Sequence, residues 1–219
     1  MEFQLFGFPV SIKGSFVLTI AFLGYISFNS QVDRIVAFTA IAVIAVLIHE
    51  FGHAFAARSQ GTVGTPSISL AGMAGLTRYR LENVPSRVQS IFISFAGPLT
   101  GIVLGAIILA VRSAGVIEET FLIRDLFRIG LFTTFGWSAF NLVPIVPLDG
   151  GHIMTDLLPG DRLERRKRAA WVSIAFAAVL APILWFVSGL LFAPIILLGM
   201  AYQNFSSLKD LNAVPHPTQ

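Results

Sequence analysis

The residues best suited to chemistry are two histidines and a glutamate within AVLIHEFGHAFAAR, residues 45–58. On a helix, His49 and His53 lie one turn apart on the same face, so both rings can reach one zinc ion. Glu50 is placed to take a proton from an attacking water molecule rather than to bind the metal. In a random sequence of this length and composition, the expected number of H-E-x-x-H matches is only about 0.002. The pattern therefore predicts a hydrolytic metal site.

A catalytic zinc site uses a third protein ligand in addition to water. The segment NLVPIVPLDGGHI, residues 141–153, offers Asp149 and His152. Its two prolines predict that the helix loosens, that Asp149 lies on non-helical backbone and that the two following glycines let the chain turn sharply. We favour Asp149 because a carboxylate completes a site with two histidines well, and His152 is the alternative ligand.

The composition predicts an all-α polytopic membrane protein. Hydrophobic residues make up 55% of the 219 residues and charged residues 12%, whereas soluble domains have about 25% charged residues. Ionisable groups inside a membrane are costly unless they are paired, and a bound cation would compensate the His-Glu-His cluster. The absence of cysteine excludes disulfides and thiolate metal ligands. About six segments are long and apolar enough to span a bilayer: 15–28, 34–57, 88–111, 125–146, 168–187 and 190–206.

Positive charge predicts how these segments are oriented. Basic residues collect in the loops after the second and fourth spans, whereas acidic residues balance them in the loop after the third. Because cytoplasmic loops are enriched in Lys and Arg, we expect a multi-pass protein of the cell membrane with both termini cytoplasmic. His49 would lie about 13 Å from the Arg58 end of its helix. Asp149 follows span four on the same side, so the predicted site lies towards the cytoplasm.

Two segments outside the helices alternate like β-strands. FQLFGFPVSI, residues 3–12, predicts a hairpin around Gly7–Pro9, and residues 65–79 alternate at Ile68 and Leu70 before the sequence becomes rich in glycine. Open strand edges cannot lie in hydrocarbon, so we expect a small β-sheet at the cytoplasmic interface. Two roles are open for it: a surface cap, or an edge that receives an extended peptide by strand addition.

These features predict one intramembrane domain over residues 1–206. Its three-helix catalytic core would span about 34–155, and residues 207–219 would form a C-terminal tail.

HEFGH, together with a later NLVPIVPLDGG, resembles the site-2 protease family of intramembrane zinc metalloproteases. The family's second signature, N-x-x-P-x-x-P-L-D-G-G, matches from Asn141 onward. The resemblance implies one Zn²⁺ per chain, with His49, His53 and Asp149 as ligands and Glu50 as the catalytic base. It also implies that Asn141 holds the substrate or stabilises the oxyanion.

A third segment, FAGPLTG, resembles the family's G-P-L motif at 97–99, in the third predicted span. Family members often have Asn where this chain has Gly101, which favours helix packing and a kink over catalysis here. The spacing leaves no room for the PDZ domain that larger members insert, and the predicted tail is too short for an appended CBS domain. The chain therefore resembles a minimal member.

The resemblance implies regulated intramembrane proteolysis. The expected partners are a membrane-anchored protein substrate and the lipid bilayer, with no nucleic acid, and the sequence does not indicate an oligomeric state. Two alternatives belong to other classes: a catalytically inactive homologue that acts as a membrane scaffold, and a metal transporter. A transporter needs polar groups along a continuous path, whereas the sequence shows one cluster near one side.

Overall fold

A computed structural model describes residues 1–29, 31–118, 120–188 and 192–213. It divides into two compact units, Met1–Phe140 and Asn141–Gln219. The described residues are mostly helical and include one four-stranded sheet. This agrees with the predicted helical class and its small sheet.

The sheet belongs to the first unit and consists of two hairpins. Its strands are β1 (Glu2–Leu5), β2 (Phe8–Ile12), β3 (Ser67–Ala71) and β4 (Ala74–Arg78), in the order β1-β2-β3-β4. The pairs β1–β2 and β3–β4 are antiparallel, whereas β2 and β3 are parallel. Both predicted strand regions are therefore confirmed, and β4 lies at one edge of the sheet.

The first hairpin turns one residue earlier than predicted. Phe6 and Gly7 have φ values of 53° and 79°, as a two-residue hairpin turn with left-handed backbone requires. Pro9 lies inside β2, opposite Gln4.

One face of the sheet packs on the helices. Val10 of β2 and Ile68 of β3 are buried and point to the same face because side chains alternate along a strand. They join a hydrophobic cluster that includes Phe16 and Phe51 from the first two helices. The sheet is thus held directly against the helix that carries HEFGH.

The helices of the first unit bring the site together. They are α1 (Gly14–Ser27), α2 (Val32–Ser59) and α3 (Arg87–Ser113), followed by α4 (Phe121–Leu131), a π-helical segment (Phe132–Gly136) and α5 (Trp137–Asn141). A capping box between Ser86 and Gln89 starts α3. The long helices α2 and α3 pack along each other.

The second unit begins with an irregular loop and continues with α6 (Asp149–Leu157), α7 (Arg162–Ser188) and α8 (Phe192–Ala213). Of the turn predicted at Ser188-Gly189, Ser188 is the last residue of α7 and Gly189 lies outside the described residues. The tail boundary placed at residue 207 falls inside α8, and residues 214–219 lie outside the described residues.

Three helices among the described residues are long and apolar enough to cross a membrane: Val32–Ser59, Arg87–Ser113 and Arg162–Phe186. Helix α1 is apolar but has only 14 residues. The fourth predicted span, 125–146, is divided among three helical segments and ends as helix at Asn141. The count of six spans therefore stays a prediction.

Candidate metal centre

Helix α2 carries the cluster that the sequence predicts. His49, Glu50 and His53 are exposed by only 2%, 5% and 8%. One possible ligand atom from each residue lies within 4.8 Å of the others. Their spacing within one continuous helix places all three in the interior of the first unit.

The two imidazoles have the geometry of a metal-binding pair. Their Nε2 atoms are 3.2 Å apart. Two zinc ligands at about 2.0–2.1 Å from the metal with a tetrahedral angle between them would be about 3.3 Å apart. His53 Nδ1 lies 2.7 Å from the Ile93 carbonyl oxygen. Because a carbonyl only accepts, Nδ1 carries the proton and the Nε2 lone pair is left for a metal. The residues therefore fit zinc.

Gly97 of α3 makes room for these two rings. A Cβ at this position would overlap His53 Nε2 and would lie 2.8 Å from His49 Nε2. Gly97 belongs to the G-P-L segment, for which the sequence favoured a packing role. The structure agrees and shows that the packed groups are the two candidate metal ligands.

Close contact between α2 and α3 fixes that arrangement. A Cβ at Gly52 would lie 2.5 Å from the Ala96 carbonyl oxygen. Thr100 Oγ1 lies 2.7 Å from the Gly97 carbonyl oxygen and 3.3 Å from that of Ile48 on α2. Small residues let apolar helices approach, and the Thr100 hydroxyl, which donates to Gly97 on its own helix, then lies against the main chain of α2.

The sheet contacts Glu50, which the sequence did not indicate. Thr77 Oγ1 on β4 donates a hydrogen bond of 2.7 Å to Glu50 Oε2. On the same face of β4, a Cβ at Gly75 would lie 2.6 Å from Glu50 Cγ and would overlap Oε1. The candidate base is therefore enclosed by an edge strand.

Comparison with known families agrees with this centre. The family model described as Peptidase M50B-like matches residues 17–148, and the model Peptidase family M50 matches residues 116–182. The first match covers more than half of the chain and includes the whole cluster on α2. This chain belongs to the M50 peptidase family. The predicted resemblance to site-2 proteases is confirmed.

Relatives of this M50 chain carry consistent names. A zinc metalloprotease from Methanocaldococcus jannaschii is 28% identical over 71% of this chain and 44% of its own length. A protein from Synechocystis sp., provisionally named a zinc metalloprotease, is 29% identical over 71% of this chain and 43% of its own. The chain thus matches less than half the length of these relatives.

A solved structure shows the same fold. The site-2 protease from Methanocaldococcus jannaschii superimposes with a TM-score of 0.64 at 22% identity, and the match covers 100% of this chain and 98% of that one. Together with the three long apolar helices, membership of this membrane protease family identifies the M50 chain as a membrane protein.

The remaining predicted site residues, Asn141, Asp149 and His152, belong to the second unit. The prediction of non-helical backbone at Asp149 is wrong, because Asp149 is the first residue of α6. Gly150 and Gly151 lie in its first turn and do not bend the chain. Instead they allow close packing, since Cβ atoms there would overlap the backbone of the preceding loop. The roles of Asn141, Asp149 and His152 stay predictions.

Two helices of the second unit hold the loop that precedes Asp149. Val146 N–H donates to Ser173 Oγ on α7 over 2.9 Å. Asn204 Nδ2 on α8 donates to the Val146 carbonyl oxygen over 2.6 Å. Ser173 and Asn204 are buried, so both polar backbone groups of Val146 have interior partners.

Proposed function

We propose that this M50 chain is an intramembrane zinc metalloprotease that cleaves membrane-anchored proteins within or near their transmembrane segments. One observation carries the proposal: two buried Nε2 atoms lie 3.2 Å apart beside a buried carboxylate. The fixed tautomer of His53 supports it. His49, His53 and Asp149 would hold one zinc ion per chain, since a catalytic site needs three protein ligands and an open position.

The chemistry divides between the metal and Glu50. When bound, zinc would acidify a water molecule and polarise the peptide carbonyl. The Glu50 carboxylate would accept the proton of the attacking water and then deliver it to the leaving amine, as a general base and general acid. Asn141 would hold the substrate or donate a hydrogen bond to the developing oxyanion.

The substrate must be extended where it is cut, because a helix protects its amides with internal hydrogen bonds. Of the two roles open for the sheet, we favour strand addition. Strand β4 lies at the sheet edge, and its inward face contacts Glu50. A peptide paired with that edge would run close to the base, with main-chain hydrogen bonds holding it in place.

We further propose that the protein lies in the cell membrane with both termini and the site towards the cytoplasm, and that it takes part in regulated intramembrane proteolysis. The basic residues at the start of α7 support this orientation. They would face anionic lipid headgroups.

Metal removal tests the function directly. Dialysis of the detergent-purified protein against a chelator is expected to remove the zinc and to reduce cleavage of fluorescently labelled casein at least about 100-fold. One equivalent of Zn²⁺ should restore cleavage, and Mg²⁺ should not, because the two histidines select a transition metal. Full hydrolysis after complete zinc removal would refute the proposal. Zn²⁺ uptake into proteoliposomes without hydrolysis would identify a transporter instead.

The third ligand is tested by metal analysis of Asp149→Asn beside His152→Gln. Asp149→Asn removes a charged oxygen ligand, so we expect zinc content after dialysis to fall at least about tenfold. His152→Gln is the matched control and should retain zinc like the wild type. The reverse result would make His152 the ligand, and retention by both variants would remove both residues from the metal site.

A further inference from the structure

The strongest unassigned contact links the sheet to Glu50. Thr77 Oγ1 lies 2.7 Å from Glu50 Oε2 and 3.0 Å from the Glu50 carbonyl oxygen. A hydroxyl has one proton to donate, and the shorter distance assigns it to the carboxylate. The same hydroxyl therefore lies against both the main chain and the side chain of one residue.

Gly75 is a second residue of β4 that lies against the Glu50 side chain. Positions 75 and 77 lie on the same face of β4 because strand side chains alternate. At Gly75 the missing side chain leaves space that Glu50 Oε1 and Cγ occupy. The two inward positions of β4 thus give Oε2 a hydrogen-bond donor and leave room for Oε1 and Cγ to pack beside Gly75.

Strand β4 is a firm support for that donor. It pairs with β3 along its full length, from Ser67 opposite Arg78 to Ala71 opposite Ala74. Beyond its end, Val63 N–H donates to the Arg80 carbonyl oxygen over 2.8 Å, which continues the pairing of the two segments. The hydroxyl is therefore fixed relative to α2 by the sheet rather than by a mobile loop.

We propose that Thr77 is the positioning residue of the general base. The inference rests on the function proposed above, in which Glu50 moves a proton. A glutamate side chain has several rotatable bonds, and proton transfer requires its oxygen within hydrogen-bond distance of the water. Thr77 holds Oε2 and so restricts rotation of the carboxylate, and Oε1 would be the oxygen that accepts the proton.

The proposal is tested by the kinetics of Thr77→Val, Thr77→Ser and a control variant, measured on zinc-loaded protein with an unstructured fluorogenic peptide. Thr77→Val keeps the shape and removes the donor, so kcat is expected to fall about 10–100-fold, as for other residues that orient catalytic groups. KM and zinc content should stay within about twofold of wild type, because Thr77 binds neither metal nor peptide in this role. Thr77→Ser restores a hydroxyl and should recover most of kcat.

Thr39→Val is the matched control. Thr39 also lies in the first unit and donates its hydroxyl to a backbone carbonyl, that of Ile35, over 2.7 Å. It should behave like the wild type. Wild-type kcat in Thr77→Val, or an equal loss in Thr77→Ser, would overturn the proposal while hydrolysis by the wild type still supports the protease function.

A measurement without catalysis tests the same contact. If Thr77 and Glu50 bond to each other, their substitutions couple in a double-mutant cycle. The Tm decrease caused by Thr77→Val should be smaller in a Glu50→Ala background, since the carboxylate is gone and the hydroxyl keeps only the main-chain carbonyl oxygen of position 50, 3.0 Å away, as an acceptor. Equal Tm decreases in both backgrounds would overturn the contact, whether or not the protein hydrolyses peptides.

Discussion

Glu50→Gln is expected to lower peptide hydrolysis at least about 100-fold, since general acid–base catalysis contributes about 10²–10⁴ in rate. The amide has the same shape as the carboxylate and can still accept the Thr77 hydrogen bond, but it cannot take a proton. His49 and His53 are unchanged, so zinc content should equal that of the wild type. Measuring hydrolysis and zinc content together therefore distinguishes loss of the general base from loss of a metal ligand.

The experiment compares labelled-casein cleavage and zinc content in detergent for the wild type, Glu50→Gln and Glu82→Gln. Glu82 is exposed outside the site, so its variant should match the wild type. Hydrolysis by Glu50→Gln within about threefold of the wild type would show that another group takes the proton. Loss of zinc would instead make Glu50 a metal ligand.

The cluster on α2 was predictable because its geometry is local. The spacing of His49 and His53 fixes their common face as soon as the segment is helical. The hairpin of residues 3–12 was predictable for a similar reason, since alternation and a short turn define neighbouring strands. The parallel pairing of β2 with β3 was not predictable, because the helices α1 and α2 separate these strands in the chain.

The contacts around Glu50 depend on tertiary packing, so no motif indicates them. Thr77 and Gly75 belong to an ordinary strand pattern, and only the position of β4 on α2 brings them to the carboxylate. Only a weak indication of the role of Gly97 is present in the sequence. Glycine recurs every fourth residue at Gly97, Gly101 and Gly105, which predicts a packing seam on a helix but does not name its partners.

The error at Asp149 has a clear physical origin. Prolines disrupt a helix interior, but they are tolerated just before a helix begins. Pro147 precedes α6 by two residues and is compatible with its start. The sixth predicted span, 190–206, was not confirmed for a different reason. Helix α8 contains Gln203 and Asn204, which lower its mean hydropathy, and the buried Asn204 holds the Val146 loop.

Gly97→Ala is expected to reduce zinc content at least about tenfold, although it adds a single methyl group. The new Cβ would overlap His53 Nε2 and lie 2.8 Å from His49 Nε2, where the metal has to approach. His53 cannot rotate away without losing its 2.7 Å hydrogen bond to the Ile93 carbonyl oxygen. That carbonyl lies on α3 one turn before Gly97, so the helix that introduces the methyl group also fixes the ring.

Zinc content and far-ultraviolet circular dichroism are measured together with Gly199→Ala as the control. Gly199 lies in α8, and no described atom lies within 4 Å of a Cβ placed there, so this variant should bind zinc normally. Replacing a helical glycine with alanine otherwise stabilises a helix by about 0.5–1 kcal/mol. Lost zinc with unchanged helicity in Gly97→Ala therefore reports the clash with the imidazoles. Full zinc content there would show that the metal lies elsewhere, because these two Nε2 atoms could not hold an ion beside that methyl group.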